Sequence, residues 1–487
     1  MSTFLRQYAA YGLGVALTRL AALLLLPLYT RYLSPSDYGA LDTLMTLTTL
    51  LSPIFLLGGG DMGVQILFFK LEEKQQRDDL VISAILSIAG FAGICAVVGA
   101  LAAPYLVNFL FKSEEYVPAL RFLLADLWLI TLLKLFLDNI RLHQQPLLYN
   151  AMTLSQIFIV TTANILFVVI WGQGVSGYVT GLLVGDLIIT VIAGTLVLSR
   201  HRCRPTFSAV PALVRIGIPL LPVSGAYWVI NLSNRFFLTQ FTTLAEIGLY
   251  GIANRLATGF SIFSVAIQLG WRPYALSIQT KASARSLYSS ILLYYWACVG
   301  GLGLLMCSVT PWLLPVITTK NFAGAAAYVV PLTLAQVMYG AYFIFSTGIE
   351  IRQKTYHLTW IVLLAAALSF IGNSLFIPYW GALAAAAVLA FAYTFASLLV
   401  GLVGQRVYPL PNDNRRLFLV IAWLLVSYAS MTSLLQGTLS TTNRNVIIVL
   451  IISMSILALI MRSEVALTAR VVRGYLSRIA VVRHVDI

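Results

Sequence analysis

Asn164–Gly172 reads NILFVVIWG and Asn373–Gly381 reads NSLFIPYWG. Five of these nine positions are identical, and the stretches stand 209 residues apart. Other landmarks recur at almost the same interval. Asp37-Tyr38-Gly39 answers Glu246-Ile247-Gly248 at 209, Ala103-Pro104-Tyr105-Leu106 answers Thr310-Pro311-Trp312-Leu313 at 207, and Ile140-Arg141 answers Ile351-Arg352 at 211. One such match is coincidence; together they point to two copies of one unit. In an apolar chain, a doubled unit of this size is how many membrane transporters are assembled.

The composition sets the solvent. Of 487 residues, 60% are hydrophobic and 10% charged, with a mean hydropathy of +0.89. A soluble domain carries about 25% charged residues, so this chain belongs in lipid, and its short polar loops leave no room for a soluble catalytic domain. The first apolar segment, Tyr8 to Thr30, is too long for a signal-peptide core and lacks a small-residue cleavage site, so it is expected to stay as the first span. The four cysteines, Cys95, Cys203, Cys298 and Cys307, show no metal-ligand spacing. Neither a disulfide, a metal nor a cofactor is expected from them.

Apolar segments of about twenty residues can cross a bilayer as helices. The sequence predicts about fourteen, at 8–30, 38–60, 80–103, 119–140, 147–171, 175–198, 212–237, 246–270, 287–310, 325–349, 358–378, 381–404, 417–436 and 445–462. Threading these with the N-terminus inside places 22 Lys and Arg residues on the cytoplasmic side and five on the other. That bias puts both termini in the cytoplasm and makes the span number even. The net charge of +14 has the same origin, insertion against an anionic cytoplasmic leaflet, and does not indicate a nucleic-acid partner.

The expected fold is therefore all-α and integral to the membrane. Residues 1–205 form one six-span bundle, 206–405 a second, and 406–487 two additional spans with a basic tail. Copies with an even number of spans both start on the same side, so their symmetry axis runs along the membrane normal, with a cavity between them. The two Trp-Gly pairs, Trp171-Gly172 and Trp380-Gly381, are expected to form tight turns between antiparallel helices.

Charges inside spans cost about 2.5–3.5 kcal/mol each on insertion scales and so mark function. Arg19 and Arg255 lie about 16 Å and 13 Å into their spans at 1.5 Å per residue, near the midplane. Arg255 shares a helix face with Gly248, Gly251, Thr258 and Gly259, a small and polar stripe suited to a cavity wall. Arg235 has Asn231 and Asn234 beside it. Arginines facing one lumen need a counter-anion, either a carboxylate such as Asp186 or Asp126 or a ligand phosphate, which the guanidinium fork binds bidentately. Asp186 sits mid-span with no sequence-local cation, and with Asp126 it is the candidate for ion coupling. Gly60 and Asp61 in GGGDMG, with Pro219 and Pro222, are candidate bend or gate positions.

Residues 23–60, LLLLPLYTRYLSPSDYGALDTLMTLTTLLSPIFLLGGG, resemble the first two spans of bacterial polysaccharide-biosynthesis flippases: a proline-bearing first helix, a Leu-Ser-Pro turn and a Tyr-Gly entry to the second. Residues 216–257 resemble the start of that family's second half, including Pro219, Pro222, Trp228, Asn234-Arg235-Phe236 and Gly248-Leu249-Tyr250. The family lies within the multidrug, oligosaccharidyl-lipid and polysaccharide exporter superfamily. The resemblance implies a non-enzymatic flippase of the bacterial inner membrane. Such a protein moves an undecaprenyl-diphosphate-linked oligosaccharide from the cytoplasmic to the outer leaflet by alternating access, for O-antigen, capsule or exopolysaccharide assembly. It implies that Arg19, Arg235 and Arg255 meet the diphosphate. It also implies membrane lipid, a polysaccharide polymerase and chain-length machinery as partners. The alternatives are a drug/cation antiporter of the same superfamily, which the mid-membrane arginines disfavour, and a membrane polymerase, which the short outer loops disfavour.

Overall fold

The computed structural model describes residues 25–57, 64–65, 67–68, 71–199, 211, 215, 221–279, 284–411, 414–435 and 439–461. Among these there is no strand. Thirteen helices follow in order: α1 (Leu26–Tyr32), α2 (Pro35–Phe55), α3 (Lys74–Phe111), α4 (Val117–Leu142), α5 (Pro146–Asn164), α6 (Gly174–Leu198), α7 (Leu221–Phe241), α8 (Leu244–Ile278), α9 (Ala284–Ile317), α10 (Ala326–Ile351), α11 (Tyr356–Val407), α12 (Asn414–Leu435) and α13 (Leu439–Ile460). Among the described residues, seven helical segments are long and apolar enough to cross a membrane. Leu101, Tyr105, Phe158, Phe418 and Leu459 are among many large apolar side chains left exposed on the outside, the surface a lipid-embedded protein requires.

Helix boundaries follow local chemistry. Ser34 caps α2: its hydroxyl accepts from the Asp37 N–H at 3.1 Å, and Asp37 accepts from the Ser34 N–H at 3.0 Å, a complete capping box with Pro35 at the first helical position. Thr243 caps α8 by accepting from the Glu246 N–H at 3.2 Å. Ser34 and Thr243 stand 209 residues apart, as do Asp37 and Glu246. The cap is thus part of the repeat.

The Trp-Gly pairs sit where the chain reverses or bends. α5 loosens into a π-helical stretch, Ile165–Ile170, before Gly172 at φ +64°. α11 is two helical arms joined at Gly381, whose φ of 55° and ψ of −135° break the helix one residue after Trp380. Only glycine adopts this backbone without strain.

α4 packs with α3 and α6, and α5 with α6. α10 packs with α8, α9 and α11, and α7 with α11. These two sets meet chiefly where α2 lies along α8, with α7 also touching α2. At that crossing a Cβ on Gly39 would collide with the Leu244 carbonyl, and a Cβ on Gly248 with the Pro35 carbonyl. Gly39 and Gly248 are repeat-related, and each lies against the other's helix start. A reciprocal contact between equivalent residues is what a two-fold relation produces, and small residues are what allow membrane helices to touch backbone to backbone.

A cation-lined cavity and its tyrosine wall

Arg255 lies on α8 about 16 Å along the helix from Leu244 at 1.5 Å per residue. Its guanidinium lies over the Tyr38 ring of α2 at 5.0 Å and in electrostatic contact with Tyr178 of α6. It also borders a cavity of about 460 Å³. The described lining otherwise comes from α7 (Tyr227, Asn231), α8 (Thr258, Gly259, Ser261, Val265, Gln268), α10 (Gln336, Tyr339) and α11 (Tyr393). All of these helices belong to the second copy of the repeat, so this part of the chamber is hollowed from one copy, with Arg255 as its link to the other.

The small-residue stripe around Arg255 divides in two. Thr258 and Gly259 face the cavity. Gly248 and Gly251 instead face α2, where a Cβ on Gly251 would press on the Asp42 carboxylate and the Tyr38 ring. Half of the stripe is helix-packing surface.

Arg235 differs from the sequence expectation. It is 2% exposed, and its Nε donates to Asp42 Oδ2 at 3.0 Å. Its Nη1 donates to the Asn231 carbonyl at 3.2 Å and to Asn234 Oδ1 at 3.0 Å, and the guanidinium lies 4.7 Å from the centre of the Tyr250 ring. This closed set satisfies the charge across the α2–α7 contact. The physical reason is Asp42, 193 residues away in sequence but opposite in space. Asp42 also attracts Arg255 electrostatically. Among the described residues, two guanidiniums therefore share one carboxylate, leaving one positive charge at the edge of the cavity.

Asp126 of α4 and Asp186 of α6 pair with each other rather than with Arg235 or Arg255. They are 4% and 2% exposed, and Asp186 Oδ1 accepts from Gln156 Nε2 of α5 at 2.8 Å. This carboxyl pair lies inside the first copy of the repeat. Arg19, Gly60, Asp61 and Pro219 fall outside the described residues. Pro222 is the second residue of α7.

Sequence reasoning did not single out Tyr227, Tyr339 and Tyr393. Their rings form a cluster, with Tyr227–Tyr339 centroids 5.7 Å apart and Tyr339–Tyr393 centroids 5.0 Å apart. Tyrosines spread over three helices and 166 residues carry no local signal. Asp42 did carry one, a carboxyl within a span, one turn from Tyr38 on a helix.

Solved structures share the fold. "Lipid II flippase MurJ, inward closed conformation" aligns with a TM-score of 0.69 at 14% identity, covering 93% of this chain and 99% of that one. A mutant of the Vibrio cholerae MATE transporter VcmN aligns with a TM-score of 0.56 at 14% identity, covering 83% and 97%. A MATE family multidrug resistance transporter in an inward-facing conformation gives 0.54 at 14% identity, covering 84% and 99%. No curated protein matches the sequence. At these identities the likeness is one of fold, and the apolar helices described above fit a multi-pass membrane protein. Residues 4–279 match the family described as polysaccharide biosynthesis protein, more than half of the chain; the chain is a member of that polysaccharide biosynthesis family.

Proposed function

We propose that the protein is a flippase that carries undecaprenyl-diphosphate-linked oligosaccharide repeat units from the cytoplasmic to the outer leaflet of the bacterial inner membrane, with both termini in the cytoplasm. Two six-span bundles, 1–205 and 206–405, would alternate access to the chamber, with 406–487 attached as extra spans and tail. The observation that carries this reading is Arg255: a guanidinium beside a 460 Å³ cavity that, among the described residues, shares the Asp42 carboxylate with Arg235. A buried excess cation is costly unless an anion joins it, and a diphosphate presents paired oxygens to the guanidinium fork. Arg19 is assigned the same role from the sequence. Arg235 is assigned to tying α7 to Asp42 of α2 in the arrangement seen here. Asp126 and Asp186 are assigned to ion coupling, since a carboxyl pair held away from the arginines is free to take up a cation or proton.

The test replaces Arg255 in a host whose surface polysaccharide depends on this gene. Arg255→Ala, at normal protein level, is expected to reduce surface polysaccharide by about ten-fold or more, the loss of one charge-assisted contact. Arg255→Lys is expected to retain part of the activity, as a point charge without the fork. Completed lipid-linked units should accumulate on the cytoplasmic face. Intact export with alanine at this position would remove Arg255 from the diphosphate site. Loss of drug resistance with normal polysaccharide would point instead to the antiporter.

A further inference from the structure

We propose that Tyr227, Tyr339 and Tyr393, with Gln268 and Gln336, form a carbohydrate-recognition subsite, so that this wall of the cavity reads the first sugars beyond the diphosphate. The proposal rests on the flippase reading of the same chamber and adds the element that would discriminate among glycans. Four observations carry it.

The rings are graded in exposure. Tyr227 is 40% exposed, Tyr339 half-buried and Tyr393 4% exposed. Phe343 packs against Tyr339 edge-on at 5.0 Å, from the same helix. The inner ring is fixed: the Tyr393 hydroxyl donates to Asn231 Oδ1 at 2.7 Å, and Asn231 Nδ2 donates to the Tyr227 carbonyl at 2.8 Å. That amide, itself anchored to the α7 backbone, holds the Tyr393 ring in place. Rigid aromatic faces with few side-chain torsions supply contact area at low entropic cost.

The polar atoms are neutral. Among the described lining residues Arg255 carries the sole charge, and the rest of the polar set is hydroxyl and amide. A drug-like cation would call for a carboxylate here. A neutral polyol attached to an anion matches both parts, its C–H faces against rings and its hydroxyls against amides.

One donor lacks a partner. Gln268 Nε2 is buried and, among the described residues, makes no hydrogen bond, although Gln268 lines the cavity. Leaving such a group unsatisfied is unfavourable, a cost that a ligand hydroxyl or carbonyl oxygen would relieve. Gln336, 8% exposed, lines the same cavity from α10.

The volume also suits the assignment. About 460 Å³ falls in the range of roughly 300–1,000 Å³ for small-molecule sites, enough for a diphosphate and its nearest sugars rather than a whole long glycan.

The experiment uses the purified full-length protein in detergent and measures affinity by native mass spectrometry. One probe is undecaprenyl diphosphate. The other is the pool of lipid-linked repeat units extracted from the source organism with its polymerase gene disrupted. Wild type is expected to bind the glycosylated lipid about ten-fold or more tighter than the bare diphosphate, about 1.4 kcal/mol or more. Tyr339→Ala and Gln268→Ala should each erase most of that preference while leaving bare-diphosphate affinity within about two-fold, well under one RT-scale decade. Tyr339→Phe, which keeps the ring face, should retain it. Arg255→Ala should weaken both probes. Absence of a preference in wild type would overturn the subsite, as would variants that weaken both probes equally. Failure of Arg255→Ala to weaken either probe would instead overturn the diphosphate reading, leaving the sugar preference as a separate result.

Discussion

The two copies of the repeat begin alike and diverge within a few turns. Ser34 and Thr243 cap α2 and α8 in the same way, and Gly39 and Gly248 make the same close approach. Asp37 then folds back on its own cap, its Oδ2 accepting from the Ser34 N–H at 3.0 Å and hydroxyl at 2.7 Å. Glu246 reaches out instead, its Oε1 accepting from the Ala382 N–H at 2.7 Å just past the Gly381 bend. Deeper in, the first copy encloses Asp126 and Asp186 against Gln156, whereas the second opens into a cavity bordered by Arg255 and three tyrosines. Repetition preserved the helix starts and crossings that build the shape, and the interiors took on opposite chemistry. We read this as a division of labour, with ion handling in one half and anion binding in the other.

The sharpest break of that comparison is at Asp42, where the halves are tied. Asp42→Asn leaves Arg235 buried without its partner and is expected to lower stability by about 3–5 kcal/mol, read as a large drop in detergent melting temperature. Arg235→Met in the same background should recover most of that loss. Absence of recovery would mean that Asp42 acts mainly through Arg255.

The Trp-Gly bends separate the copies at an intermediate scale. Gly172→Ala meets open space and should cost only the positive-φ strain, about 1–2 kcal/mol. Gly381→Ala has a similar φ, but its ψ of −135° lies where only glycine enters freely, and its Cβ would also collide with Glu246. It should cost at least about 1 kcal/mol more, from the added backbone strain and the hydrogen bond it displaces. Equal melting temperatures for the two variants would show that neither the added strain nor the Glu246 contact carries weight.

The smallest effect compares the two acids at the helix starts. Glu246→Gln weakens a charge-assisted bond to the Ala382 N–H and should cost about 1 kcal/mol. Asp37→Asn touches only an exposed capping box and should cost a few tenths of a kcal/mol, about one tenth to one third of that typical cap value. Thermal melts of both proteins decide the order.

Much of the fold was legible because long apolar runs need no partner to declare themselves. Every predicted span from 38–60 onward overlaps a described helix or an arm of one, including the pair at 358–378 and 381–404 that meets at Gly381. The first span lies mostly outside the described residues. The site was read less well, for a physical reason. A charge's position along a helix follows from the sequence, but its partner is set by which faces meet. Arg255 was singled out as a mid-helix cation, yet Asp126 and Asp186 were weighed as its counter-ions when Asp42 is the carboxylate within reach. Half of its small-residue stripe proved to be the α2–α8 crossing because glycine serves close packing and cavity walls equally. Tyr227, Tyr339 and Tyr393 resemble any other aromatic residue near a membrane interface until three helices bring them together.

The Asp42–Arg235 bridge has a thermodynamic corollary. Stripping water from both groups cancels most of their mutual attraction, so an intact pair contributes little net depth to the arrangement seen here even though losing one member is severe. Such a link selects how the halves meet without making the meeting hard to undo. If the helices part and water floods the seam, rehydration compensates for the broken contact. An all-leucine seam of equal area would surrender about 25 cal/mol for every Å² wetted, on each opening. Polarity at this junction therefore specifies how the helices dock while adding little to the cost of parting them.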